Sequence, residues 1–121
     1  MMYGVPADLD LSFLIGGELS QVCIGTYQFQ FHFTPTGTIS VTARWDLRSE
    51  TGQLVDTHSG EFDPDRGPFH FQRIIGQRVV AITIAAPQSL TIRFANGLGL
   101  TVFDDNPHFE SFQIDPGNII V

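Results

Sequence analysis

Two stretches of this chain share one spacing of apolar and glycine residues. Phe13-Leu14-Ile15-Gly16 is matched by Arg73-Ile74-Ile75-Gly76, and Val22 and Ile24 are matched at the same interval by Ile82 and Ile84. After one residue of slippage Phe29, Phe31 and Phe33 match Leu90, Ile92 and Phe94, and Gly37 aligns with Gly97. The spacing predicts an internal duplication over residues 11–47 and 71–114, joined by a connector at 48–68. Two copies are too few for a solenoid, which needs three or more stacked units to bury a continuous core. They predict two halves packed about a pseudo-twofold axis. At 121 residues the halves share one domain, 1–121.

Within each copy the apolar period is two, the signature of a strand with one face in a core. Tyr27, Phe29, Phe31 and Phe33 alternate with Gln28, Gln30, His32 and Thr34. Taking Thr34 to Thr38 as the loop, antiparallel pairing sets Phe33 beside Ile39, Phe31 beside Val41 and Phe29 beside Ala43, in a strand running on to Trp45. In the second copy Ala95-Asn96-Gly97 forms a three-residue hairpin loop, which places Leu98, Leu100 and Val102 opposite Phe94, Ile92 and Leu90. Burial holds these registers, because a one-residue slip would turn every Phe of the row to water. The fold class expected is mainly β: two three-stranded antiparallel meanders closed into a barrel or sandwich, with one or two short helices.

The helices belong at the start of each copy. Asp10 is placed to cap a turn over Leu11 to Ile15 that Gly16 and Gly17 end, and Pro68 to open a helix over Phe69 to Ile75 that Gly76 ends. That helix would set Phe71, Ile74 and Ile75 on one side. A strand at Phe69-His70-Phe71 is the alternative. The connector carries turns at Gly52-Gln53 and Gly60, an edge strand at Leu54-Val55, and most of its charge as acid: Glu50, Asp56, Glu61, Asp63 and Asp65 against Arg48 and Arg66. It reads as a solvated surface. At the end of the chain Pro116-Gly117 turns Ile119-Ile120-Val121 back onto the domain as a docked strand.

Charge and residue usage narrow the chemistry. All six cations are Arg, so a Schiff base, a phosphate-loop Lys and a Ser-Lys dyad are excluded. Thirteen acids set the formal net charge at −7, which opposes binding to a phosphate backbone. Cys23 is the single cysteine, so the chain holds no internal disulfide and no multi-cysteine metal site. Residues 1–14 lack a positive n-region and no apolar run is long enough to span a bilayer, which gives a cytoplasmic expectation with neither membrane nor nucleic acid as a partner.

Three stretches carry a likeness to known proteins: the opening Leu-Ser-Phe-Leu-Ile-Gly, the Phe-x-Phe before Gly-x-Ile-x-Val, and the Asp-Asp turn leading to Glu-Ser-Phe-x-Ile. In these the chain resembles a family of small bacterial proteins with no assigned activity. The resemblance implies a shared fold and brings no catalytic residues with it.

The four histidines, His32, His58, His70 and His108, lack the paired spacing of a preformed metal site, and no Gly-x-Ser-x-Gly elbow is present. His32 and His70 read as solvated surface residues and Cys23, with no neighbouring cation, as inert packing. The candidate ligand- or partner-binding residues are Asp104, Asp105, His108 and Glu110 around the C-terminal turn, with Glu61, Asp63 and Asp65 in the connector. Acidic turns also form simply because Asp bonds its own backbone. No catalytic set, no metal and no cofactor is expected. The leading expectation is a non-catalytic protein-interaction module, monomeric or homodimeric, such as an immunity-type protein whose acidic surface is steered onto a basic toxin. A small-ligand-binding barrel is the alternative, and a metal-dependent hydrolase built on the Asp104 to Glu110 turn is the last.

Overall fold

A computed structural model describes residues 11–25, 28–59, 69–85, 88–104, 112–115 and 119–120. A 3-10 turn at Ser12–Leu14 precedes β1 (Glu18–Ile24), β2 (Phe29–Thr34), β3 (Gly37–Val41), β4 (Trp45–Arg48) and β5 (Leu54–His58). A second 3-10 turn at Phe71–Arg73 precedes β6 (Val79–Ala85), β7 (Ser89–Phe94), β8 (Gly99–Phe103), β9 (Phe112–Asp115) and β10 (Ile119–Ile120). The strands form two antiparallel sheets, in the orders β1-β2-β3-β9-β10 and β5-β4-β8-β7-β6. The expected mainly β sandwich is present. The barrel alternative is not, since among the described residues neither sheet closes on itself.

Each half keeps its first three strands and hands its last two to the other sheet. β4 pairs with β8 and β9 pairs with β3, in the same register: Leu47 lies opposite Leu100, and Ile114 opposite Ile39. The meanders agree as closely. Val22 pairs with Phe31 and Ile82 with Ile92, and both first strands slip by one residue at the same place, between Leu19 and Gln21 and between Val79 and Ala81. Such a bulge adds local twist, which suits a strand at a sheet edge.

The third strand of the first half ends at Val41 and not at Trp45. Three residues then cross to the opposite sheet, from which Trp45 and Leu47 face the same core. The first hairpin loop is also shorter than the Thr34 to Thr38 loop, with three residues, Thr34, Pro35 and Thr36, between the last paired residues, which sets Phe29 opposite Val41, Phe31 opposite Ile39 and Phe33 opposite Gly37. The register differs from the expected one by two positions, an even shift, so the Phe row stays inside. Phe29, Phe31 and Phe33 are buried, and their rings meet Trp45 and Phe94 across the sandwich, with Phe31 and Trp45 edge to face at 6.1 Å. Each such ring contributes about 1.5–3 kcal/mol by leaving water.

The helical segments are single 3-10 turns, shorter than expected, and neither is capped by a side chain of its N-cap residue. A 3-10 turn stacks residues three apart. Leu11 and Leu14 therefore enter the core together, as do Phe71 and Ile74, and the next residue of each set turns outward. Ile75, expected on one side with Phe71 and Ile74, is 46% exposed, and Ile15 at the matching position is 47% exposed. Gly16 and Gly76 follow at φ of 91° and 88°, a conformation that side chains rarely adopt, and redirect the chain into β1 and β6. Leu54–His58 is a strand at a sheet edge, as expected from Leu54-Val55, and β10 docks the end of the chain on β9.

Candidate functional site

The exchange of strands builds one corner of the molecule from both halves. The β4–β5 hairpin of the first half reaches the sheet of the second and lies beside its 3-10 turn. Between them opens a cavity of about 320 Å³ lined by Ser49, Gln53, Leu54, Val55, His70 and Arg73. The hairpin loop is held by its own backbone: Ser49 N–H donates to Gln53 O, Gly52 N–H to Ser49 O, and Arg48 reaches Gly52 O at 3.0 Å. Ser49 Oγ accepts from Gln53 N–H at 3.1 Å.

Asp56 lies on β5 opposite Leu47, on the core face, and is buried. Its burial corrects the expectation of a wholly solvated acidic connector. The 3-10 turn approaches over this carboxylate, and Asp56 Oδ2 accepts from His70 N–H at 2.6 Å and sits 3.5 Å from His70 Nδ1. His70, expected as a plain surface residue, is half-exposed, with its backbone N–H bonded to one buried oxygen and its ring beside the same atom. Arg73 follows three residues later, and its carbonyl accepts from Asn96 Nδ2 at 2.7 Å.

A second surface lies where the two sheets touch edge to edge. Gly16 N–H donates to Val79 O and Gly76 N–H to Leu19 O; Val79 N–H donates to Gly17 O and Leu19 N–H to Gln77 O. This seam centres on a bridge between Glu18 and Arg78, residues of opposite charge. Beyond it β1 and β6 are the terminal strands of their sheets. Among the described residues the exposed large aliphatics are Ile15, Ile24, Leu54, Ile75 and Val80. All but Leu54 lie on the seam strands or the turns leading into them.

The outer faces of the sheets differ. One carries Cys23, His32 and Thr38 in a line: His32 Nδ1 lies 3.0 Å from Thr38 Oγ1, and Cys23 Sγ lies 3.6 Å from His32 Nε2. His32 is therefore part-buried and bonded, not freely solvated, and Cys23 has an imidazole neighbour contributed by the adjacent strand. The other face carries Asp46, which is buried, accepts from Thr57 Oγ1 at 2.7 Å and pairs with Arg48 at 3.4 Å.

Of the residues expected to form a site, Asp104 alone lies in the described part, where its N–H donates to Gln88 O at 2.7 Å. Asp105, His108, Glu110, Glu61, Asp63 and Asp65 fall outside the described residues. Nothing in the sequence spacing links Asp56 to His70 and Arg73, because β5 and the second 3-10 turn are brought together only by the fold. Among the described residues no three His, Cys, Asp or Glu side chains gather as metal ligands would, and no helix is long and apolar enough to cross a membrane. No protein-family model, curated protein or solved structure matches this chain.

Proposed function

We propose that the protein is a non-catalytic interaction module that binds a basic protein partner through the open edges of β1 and β6. The observation that carries this reading is that Ile15, Ile24, Ile75 and Val80, four large aliphatics, stay exposed along β1, β6 and the turns leading into them. Clustered exposed apolar residues mark interaction surfaces, whereas scattered ones are ordinary. Terminal strands add backbone donors and acceptors that a partner strand can use. The partner is a basic one because a net charge of −7 speeds encounter with a cationic surface and slows it with an anionic one. An immunity-type role toward a basic toxin is one form of this reading. We also infer that the two halves descend from one duplicated unit, a reading supported by the shared registers and bulges.

A photoreactive residue placed at position 80 in the organism that makes the protein should crosslink one discrete protein of basic isoelectric point, and the same residue at position 54 should not. With that protein purified, an Ile75→Asp and Val80→Asp double variant should bind at least tenfold more weakly with an unchanged circular dichroism spectrum, and association should slow as salt is raised. Wild-type affinity in the folded double variant would reject the seam as the interface.

A further inference from the structure

We infer that the corner cavity between the β4–β5 hairpin and the second 3-10 turn is a binding site for a small organic oxyanion, a carboxylate or phosphate group bearing a short apolar portion. The inference is independent of the seam. Four arginines of the described residues are engaged within the protein: Arg44 lies over the Phe103 ring at 3.7 Å, Arg48 pairs with Asp46, Arg78 reaches Gly16 O at 3.3 Å and Arg93 reaches Gly97 O at 2.9 Å. Among the described residues the Arg73 guanidinium holds no such partner, and it lines the cavity. A guanidinium offers a planar fork of donors that matches the oxygens of a carboxylate or phosphate.

The remaining lining completes the match. Asp56 Oδ2 lies 3.5 Å from His70 Nδ1, so that side of the ring faces the carboxylate and Nε2 is the ring nitrogen left for a ligand. The same carboxylate accepts the His70 backbone N–H at 2.6 Å, so backbone and ring of this residue are positioned together beside the cavity. Gln53 brings an amide and Ser49 a hydroxyl, while Leu54 and Val55 form an apolar wall suited to a short hydrocarbon portion. The corresponding positions of the other half are different in kind. Phe13 aligns with Arg73 and Ile119 takes the ladder position of Asp56, so the shared architecture does not require polar residues there.

The test is a titration of the full-length 15N-labelled protein, followed by amide and methyl chemical shifts, with inorganic phosphate in one arm and butyrate in the other. Saturable shifts at Ser49, Gln53, His70 and Arg73 at millimolar ligand are expected in at least one arm, with added shifts of the Leu54 and Val55 methyls for butyrate. Arg73→Gln should weaken binding at least fivefold and His70→Gln at least threefold, each with an otherwise native spectrum. Arg78→Gln, which removes an exposed guanidinium at the seam, should bind as wild type. Binding unchanged in Arg73→Gln, shifts spread over all the arginines, or no saturable shift in either arm would overturn the assignment. A failure at the seam would leave this result untouched, since the Arg78 control separates the two surfaces.

Discussion

Phe31 and His32 are neighbours on one strand with opposite surroundings. Phe31 is fully buried against Trp45 and Phe71, while His32 faces outward and is only part-buried, with Thr38 as its bonded partner. Phe31→Ala should lower stability by about 3–5 kcal/mol, as other buried Phe truncations do. His32→Ala should cost about 0.5–1.5 kcal/mol, chiefly from losing its bond to Thr38, with the longer one to Cys23 adding little. Urea titrations of the two variants check this, and equal midpoints would contradict the assigned faces. Alternation along β2 was enough to tell these residues apart from sequence. Asp56 was not legible in that way, because it sits in an acid-rich segment and its burial comes from a turn fourteen residues later that settles over it.

At the scale of elements, period-two patterning located the strands of both meanders, and glycine marked where the 3-10 turns end. Loop length was harder to read. Three residues and not five separate the last pair, Phe33 and Gly37, so the pairing moved by two residues while every inward residue stayed inward. The crossing after Val41 left no trace in the pattern, since Val41, Trp45 and Leu47 keep the same parity whether the strand continues or changes sheet. The C-terminal strand was legible because apolar β-branched residues follow a Pro-Gly dipeptide in the sequence. β10 pairs Ile119 with Ile114 and Ile120 with Gln113, and thereby covers the edge of β9. Deleting residues 118–121 should lower the melting temperature by several degrees to the same extent at 5 and 500 µM protein. A loss that grows on dilution would instead mean that the tail joins two copies.

On the scale of the whole molecule, exchange of the terminal hairpins makes each sheet depend on both halves. Neither half can complete a five-stranded sheet alone, so the chain should unfold in one cooperative transition. The same exchange carries Ser49, Gln53 and Asp56 from the first half to His70 and Arg73 of the second, and so creates the corner cavity; the seam, by contrast, forms where the two halves meet through like positions. The corner cavity therefore stands or falls with the crossing of β4 into the second sheet. The most direct measurement is a set of interstrand nuclear Overhauser effects in the labelled protein. Backbone contacts joining Leu47 to Leu100 and Ile39 to Ile114 are predicted together. Contacts that instead place β4 beside β3 within the first half, with none between Leu47 and Leu100, would contradict the exchanged sandwich and the site built on it.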